Sequence, residues 1–130
     1  MRVISGSCRG RKLNPIHGLQ IRPTSDRVKE AIFNILGQKI KNARVLDLFA
    51  GTGALGIEAL SRGAHHATFI DLSCDILLKN LELCRLEDNA KVISYDLTRK
   101  TIPESLMGKH FDLIFIDPPY SFSRNTALDA

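Results

Sequence analysis

Apolar positions along the chain gather into four short runs, Val45 to Phe49, Ala67 to Ile70, Lys91 to Ser94 and Phe111 to Ile116. Runs of this length suit strands buried on both faces, as parallel strands are. Between them the period changes. Ala54 to Arg62 reads as a helix closed by Gly63, and Asp75 to Leu86 as a second with Ile76, Leu77, Leu81 and Cys84 on its inner face. An earlier helix is expected after Arg22-Pro23, capped by Thr24 or Ser25 and ended by Gly37. In it Val28, Ile32, Ile35 and Leu36 recur at the spacing of one buried stripe. Arg27 and Lys29 lie off that stripe, toward solvent or substrate. Met1 to Ile21 is too broken by Gly6, Gly10, Pro15 and Gly18 for a helix and reads as short strands and turns. The alternation predicts an α/β fold, a doubly wound and mainly parallel sheet, preceded by a small strand and helix extension.

The first apolar run turns through Gly51, Gly53 and Gly56 into a helical pattern. G-x-G-x-x-G after a strand supplies a turn, close backbone approach to a ligand and tight helix-on-sheet packing, and many nucleotide-binding sheets share it. Asp47, four residues before Gly51, narrows the choice. A carboxylate there repels a phosphate but suits a ligand with ammonium and sulfonium charges, such as S-adenosylmethionine; it could equally hydrogen-bond the loop itself. Asp71, twenty residues beyond Gly51, stands where a second-strand acid accepts from ribose hydroxyls, leaving Ser73 to cap the next helix. Asp96, after the third run, is placed to accept from the amine of an adenine, and Asp117 ends the fourth. Four acids at four strand ends point to one ligand crevice, because open α/β sheets bind at the carboxyl edge.

Asp117-Pro118-Pro119-Tyr120 carries the reaction chemistry. Methylating an exocyclic base nitrogen is hard because its lone pair is delocalised. Acceptors aimed at the two N–H bonds favour pyramidal nitrogen and stabilise the developing positive charge. The Asp117 carboxylate and Pro118 carbonyl can be such a pair, the alternative being a merely stiff loop. The two prolines stiffen the turn and remove competing donors, and Tyr120 offers a face for an extruded base.

Composition adds direction. The 130 residues carry a net charge of +4, yet Met1 to Lys41 holds +7 and the remainder −3. A basic extension over 1–41 therefore precedes an acidic cofactor-binding core over 42–130, within one compact domain, and suggests a nucleic-acid partner. Arg9-Gly10-Arg11-Lys12 is a candidate phosphate grip. No apolar run reaches the roughly 18 residues of a membrane span, so a cytoplasmic location is expected. Cys8, Cys74 and Cys84 form no C-x-x-C and read as reduced thiols, and the four histidines lack metal-ligand spacing, so no metal is expected.

Four blocks, SGSCRGRKL from Ser5, RPTSDRVKEAIFNIL from Arg22, DLFAGTGALGIEALSRGA from Asp47 and the DPPY turn, closely resemble the RsmD family, bacterial methyltransferases acting on the N2 amine of a guanine in 16S ribosomal RNA. The resemblance implies a Rossmann-like class I methyltransferase fold and S-adenosylmethionine as donor. Its substrate would be 16S rRNA or an assembling small subunit. It implies a cofactor site lined by Thr24, Asp47, Phe49, Ala50, Gly51, Thr52, Gly53, Leu55, Asp71, Asp96 and Leu97. Asp117, Pro118, Pro119 and Tyr120 would hold the guanine, and Arg9, Arg11, Arg22 and Arg27 would contact RNA. Cys8 stands where relatives usually carry an aromatic, and Asp71 where many have Glu. Relatives continue through three more strands in the order 3-2-1-4-5-7-6, so here the fourth strand is expected at an edge, open to pairing with another chain. Competing readings are an amino-methyltransferase for adenine or protein glutamine, a cofactor- or RNA-binding module without turnover, and an NAD-dependent oxidoreductase. The last leaves Asp47 and the DPPY turn unexplained.

Overall fold

Each apolar run becomes a strand in the computed structural model, which describes residues 1–16, 25–99 and 101–118. The strands are β1 (Arg44–Leu48), β2 (His66–Asp71), β3 (Ala90–Ser94) and β4 (Leu113–Ile116). They form a parallel sheet in the order β3-β2-β1-β4, which is the family order as far as the described strands go. The register pairs Asp47 with Phe69 and Phe115, so all four strands end together on one edge. The fourth run loses Phe111 and Asp112 from its strand. Asp112 bends in to accept the Arg44 N–H at 2.8 Å, and Phe111 packs with a second apolar cluster.

Side chains alternate across the sheet. Val45, Ala67, Phe69 and Phe115 meet the helices α1 (Asp26–Leu36), α2 (Ala54–Ser61) and α3 (Asp75–Leu83) in the larger core. Leu46 and Ile70 on the other face are covered by Leu106 and the half-buried Tyr95, Leu97 and Phe111. β4 ends the described sheet, with Ile114 and Ile116 exposed.

Helix α1 starts where expected. Ser25 caps it, accepting from Val28 N at 3.2 Å. Its buried stripe, however, is rotated from the predicted one. Val28 and Ile35 are 52% and 84% exposed, whereas Lys29 and Phe33 are buried and Ile32 and Leu36 half-buried. Phe33 faces Phe115 with ring centroids 5.7 Å apart. Lys29 therefore faces neither solvent nor substrate: its Nζ donates to the Arg2 carbonyl at 2.7 Å and lies 3.2 Å from Glu58 Oε1. Burying a cation is tolerable only with such partners.

Glu58 is equally buried, in the middle of α2, where all eight residues are buried. Its carboxylate accepts the backbone N–H groups of Ile4 and Ser5 at 2.8 and 3.0 Å and Arg62 Nε at 2.8 Å. The N-terminal arm thus completes an ion pair inside the molecule. The arm itself is a small antiparallel turn, with Arg2 bridged to Lys12 and Gly10 donating to the Val3 carbonyl. Gly6 sits against Ser61, where a Cβ would fall 1.8 Å from the carbonyl oxygen. Helix α3 is shorter than expected, because Arg85 turns left-handed (φ 56°). Its N-cap is Cys74 without a side-chain bond, so Ser73 does not cap it.

Breaking a buried pair leaves one charge uncompensated, which costs about 3–5 kcal/mol. Glu58→Gln is expected to lose stability on that scale in urea unfolding, and Glu58→Leu to lose more, because it also orphans the Ile4 and Ser5 N–H groups. Equal midpoints for wild type and Glu58→Gln would show that the pair contributes nothing.

Candidate active site

The loop between β1 and α2 is built from strained or glycine-only conformations. Phe49 has φ 57°, Gly51 φ 59° and Gly53 φ 86°. A non-glycine residue in that region costs of order 1–3 kcal/mol and is held by its surroundings. Ala50 N donates to the Ile70 carbonyl at 3.1 Å and Gly53 N to the Ala50 carbonyl at 2.8 Å.

The three glycines serve different ends. Gly56 lets α2 seat on the sheet, since a Cβ there would lie 2.3 Å from the Phe69 ring. Gly53 lies under α3, its Cβ position 2.4 Å from Leu77 Cδ1. A Cβ built on Gly51 would meet nothing among the described residues nearer than Ile16 Cδ1 at 3.9 Å, so its limit is the positive φ and not a clash.

Asp47, Asp71 and Asp117 gather beneath and beside this loop, and Asp96 follows β3. Asp47 is buried, and its Oδ2 accepts Gly56 N at 3.0 Å. It hydrogen-bonds the first turn of α2, the alternative left open by the sequence. Burial, followed by the neighbouring Asp117 and Asp71 charges, pushes its carboxyl up to about 7, against the Gly56 hydrogen bond that lowers it. Asp71 ties the loop to β2: Oδ2 accepts Gly51 N at 2.8 Å and Oδ1 accepts Leu72 N at 2.7 Å. Each oxygen keeps a second lone pair for a further donor. Asp96 Oδ1 accepts Thr98 N at 3.0 Å and Thr98 Oγ1 at 2.6 Å, and these bonds hold it below the usual carboxylate range.

The remaining expected cofactor residues divide. Phe49 and Thr52 are half-buried in the loop; Ala50 and Leu55 are buried in the larger core, and Leu97 packs on the second cluster. Arg9, Arg11 and Arg27 are exposed, on the arm and on α1. Thr24, Arg22, Pro119 and Tyr120 lie outside the described residues. Among the described residues there is no cluster of His, Cys, Asp or Glu fit to hold a metal, and no helix long and apolar enough to cross a membrane.

Asn80 escaped the sequence reading. Fully buried on α3, it donates to the Thr52 carbonyl at 2.9 Å and to the Asn14 carbonyl at 3.0 Å, and accepts Asn14 N at 2.7 Å. It joins the glycine loop to the arm. Its position on the stripe of Ile76, Leu77, Leu81 and Cys84 was the available signal: a polar residue on a buried stripe needs partners.

Comparison with known proteins follows from this geometry. The family model described as "Conserved hypothetical protein 95" matches residues 1–130. The chain is 44% identical over 98% of its length to "Putative rRNA methyltransferase YlbH" of Bacillus subtilis, and 39% over 95% to "Ribosomal RNA small subunit methyltransferase D" of Haemophilus influenzae. The chain belongs to the RsmD family. It spans 71% and 65% of those two proteins. Among solved structures, "Putative methyltransferase yhhF from Escherichia coli" superposes with a TM-score of 0.74 at 38% identity, over 92% of this chain and 64% of that one. The RsmD-family chain therefore has the α/β class I methyltransferase fold.

Two outcomes follow for this RsmD-family site. The Asp47 carboxyl stands at 3.8 when unfolded and about 7 when folded. Between these values the unfolded chain binds fewer protons than the folded one, so this group's contribution to stability falls as pH rises from about 4 to about 7. Thermal unfolding of Asp47→Asn, which retains an acceptor for Gly56, is expected to lack that decline; an unchanged pH profile would place the carboxyl near its ordinary value. Gly56→Ala drives a methyl group into Phe69 and is expected to cost about 1–3 kcal/mol in urea unfolding, whereas Gly51→Ala, strained but unobstructed, should weaken ligand binding in calorimetry as well.

Proposed function

We propose that the chain catalyses methyl transfer from S-adenosylmethionine to the exocyclic N2 amine of a guanine in 16S ribosomal RNA, as free RNA or in an assembling small subunit. The observation that carries the reading is the group of Asp47, Asp71 and Asp117, close enough that Asp71 and Asp117 raise the Asp47 carboxyl. A crevice with this charge favours a cationic donor and opposes a pyrophosphate. The names of the Bacillus and Haemophilus relatives support an RNA substrate, and the exposed Arg9, Arg11 and Arg27 suit one.

S-adenosylmethionine, when bound, supplies an electrophilic methyl group on its sulfonium. The residues of this chain do the rest. Asp71 fixes the loop through Gly51 and accepts ribose hydroxyls, and Asp96 accepts from the adenine amine. The Asp117 carboxylate and the Pro118 carbonyl accept the two N–H bonds of the target amine. They hold its lone pair in line and stabilise the positive charge that grows on nitrogen.

In a methylation assay with small-subunit RNA and nucleoside analysis, the product is expected to be N2-methylguanosine. Asp117→Ala should keep donor affinity in calorimetry and lose transfer by about 10²–10³-fold, the scale of one lost transition-state acceptor. Equal turnover would remove Asp117 from the mechanism. Methyl on adenine or on a protein glutamine would change the substrate class, and donor binding without transfer to any of these would make the chain a binding module.

A further inference from the structure

The opposite end of the sheet has the opposite charge. At the amino ends of β1, β2 and β3 a cavity of about 450 Å³ opens beneath the segment leading into β4. Arg44, His66, Lys91, Lys109 and His110 line it, with the Ser105 hydroxyl among them and no carboxylate. It lies about 13 Å from the ligand edge, four strand steps of about 3.3 Å each.

Two observations mark this as a site for an anion. Arg44 and Lys91 stand close by: burial, then the charges of Arg44, His65 and Lys91, holds the His66 imidazole below its ordinary value, which favours its neutral form and leaves the Arg44, Lys91 and Lys109 side chains as the fixed positive charge of the lining. The neighbouring acid is already engaged. Asp112 accepts Arg44 N at 2.8 Å through Oδ2 and meets His110 Nε2 at 2.9 Å through Oδ1, and among the described residues the Arg44, Lys91 and Lys109 side chains form no salt bridge. Assembling like charges around a cavity is unfavourable until an anion enters it.

We propose that this cavity binds a phosphodiester of the RNA backbone, so that the substrate strand is gripped at the amino end of the sheet as well as at the arm. The inference rests on RNA as the substrate. The lining suits the occupant: Lys and Arg as phosphate partners, a hydroxyl as an added donor, and Phe111 as an apolar wall for the adjoining nucleoside. Such a contact positions RNA without reading its sequence.

The test compares wild type with Lys91→Gln/Lys109→Gln, both exposed positions away from the donor site. RNA affinity is measured by anisotropy against salt, with donor calorimetry as the folding control. The double variant is expected to bind RNA more weakly at every salt concentration. The slope of log affinity on log salt should shrink by about 1–2, and donor affinity should stay unchanged. In parallel, the His66 and His110 imidazole signals of wild type are followed by NMR on adding inorganic phosphate or RNA, and both should move with RNA. Unchanged RNA affinity and slope would overturn the proposal while leaving the methyltransferase reading intact. Signals moved by phosphate but not by RNA would overturn it in favour of a small-anion pocket. Absence of RNA binding by wild type itself would remove both this site and the RNA substrate.

Discussion

The burial of α2 is the constraint on which the rest of the molecule depends. A helix hidden on all sides has to be met by something on each of them, and here the sheet supplies one side and the N-terminal arm another. Toward the sheet, Gly56 brings the helix close enough for its N–H to reach the Asp47 carboxylate. Toward the arm, Glu58 and Ser61 collect the backbone N–H groups of Ile4, Ser5 and Cys8. The glycine loop leads directly into the first turn of this same helix. Its geometry is therefore set by the packing below it as much as by its own glycines.

Charge is distributed along the strand direction. Parallel strands put all carboxyl ends on one edge, and Asp47, Asp71 and Asp117 occupy that edge. Arg44, His66 and Lys91 begin the same strands or stand near their start. Opposite charges therefore stand at opposite ends of one sheet, each end with a field of its own sign.

Much of this was legible in the chain. The four strands and their helices announced themselves through apolar runs and glycine punctuation, because buried parallel strands leave a continuous signal. The glycine loop and Asp71 were legible because spacing within one βαβ unit is local. What escaped was the buried polar framework. Lys29, Glu58 and Asn80 look like surface residues in isolation, and their partners lie far off in sequence: Ile4 is 54 positions from Glu58 and Asn14 is 66 from Asn80. The rotation of α1 has the same cause, since a stripe drawn through apolar residues passes over a buried lysine. Asp47 was noticed for its charge, yet its hydrogen bond runs into the helix.

Asn80 gives this framework a mechanical character. One amide side chain clasps the Thr52 carbonyl and both backbone polar groups of Asn14, so the glycine turn and the segment leaving the arm share a rivet. Tension applied at either end of a rivet is felt at the other, and linkage makes the energy of that communication equal in the two directions. The glycine turn cannot shift without either breaking the Asn80 bonds or carrying Asn14 with it.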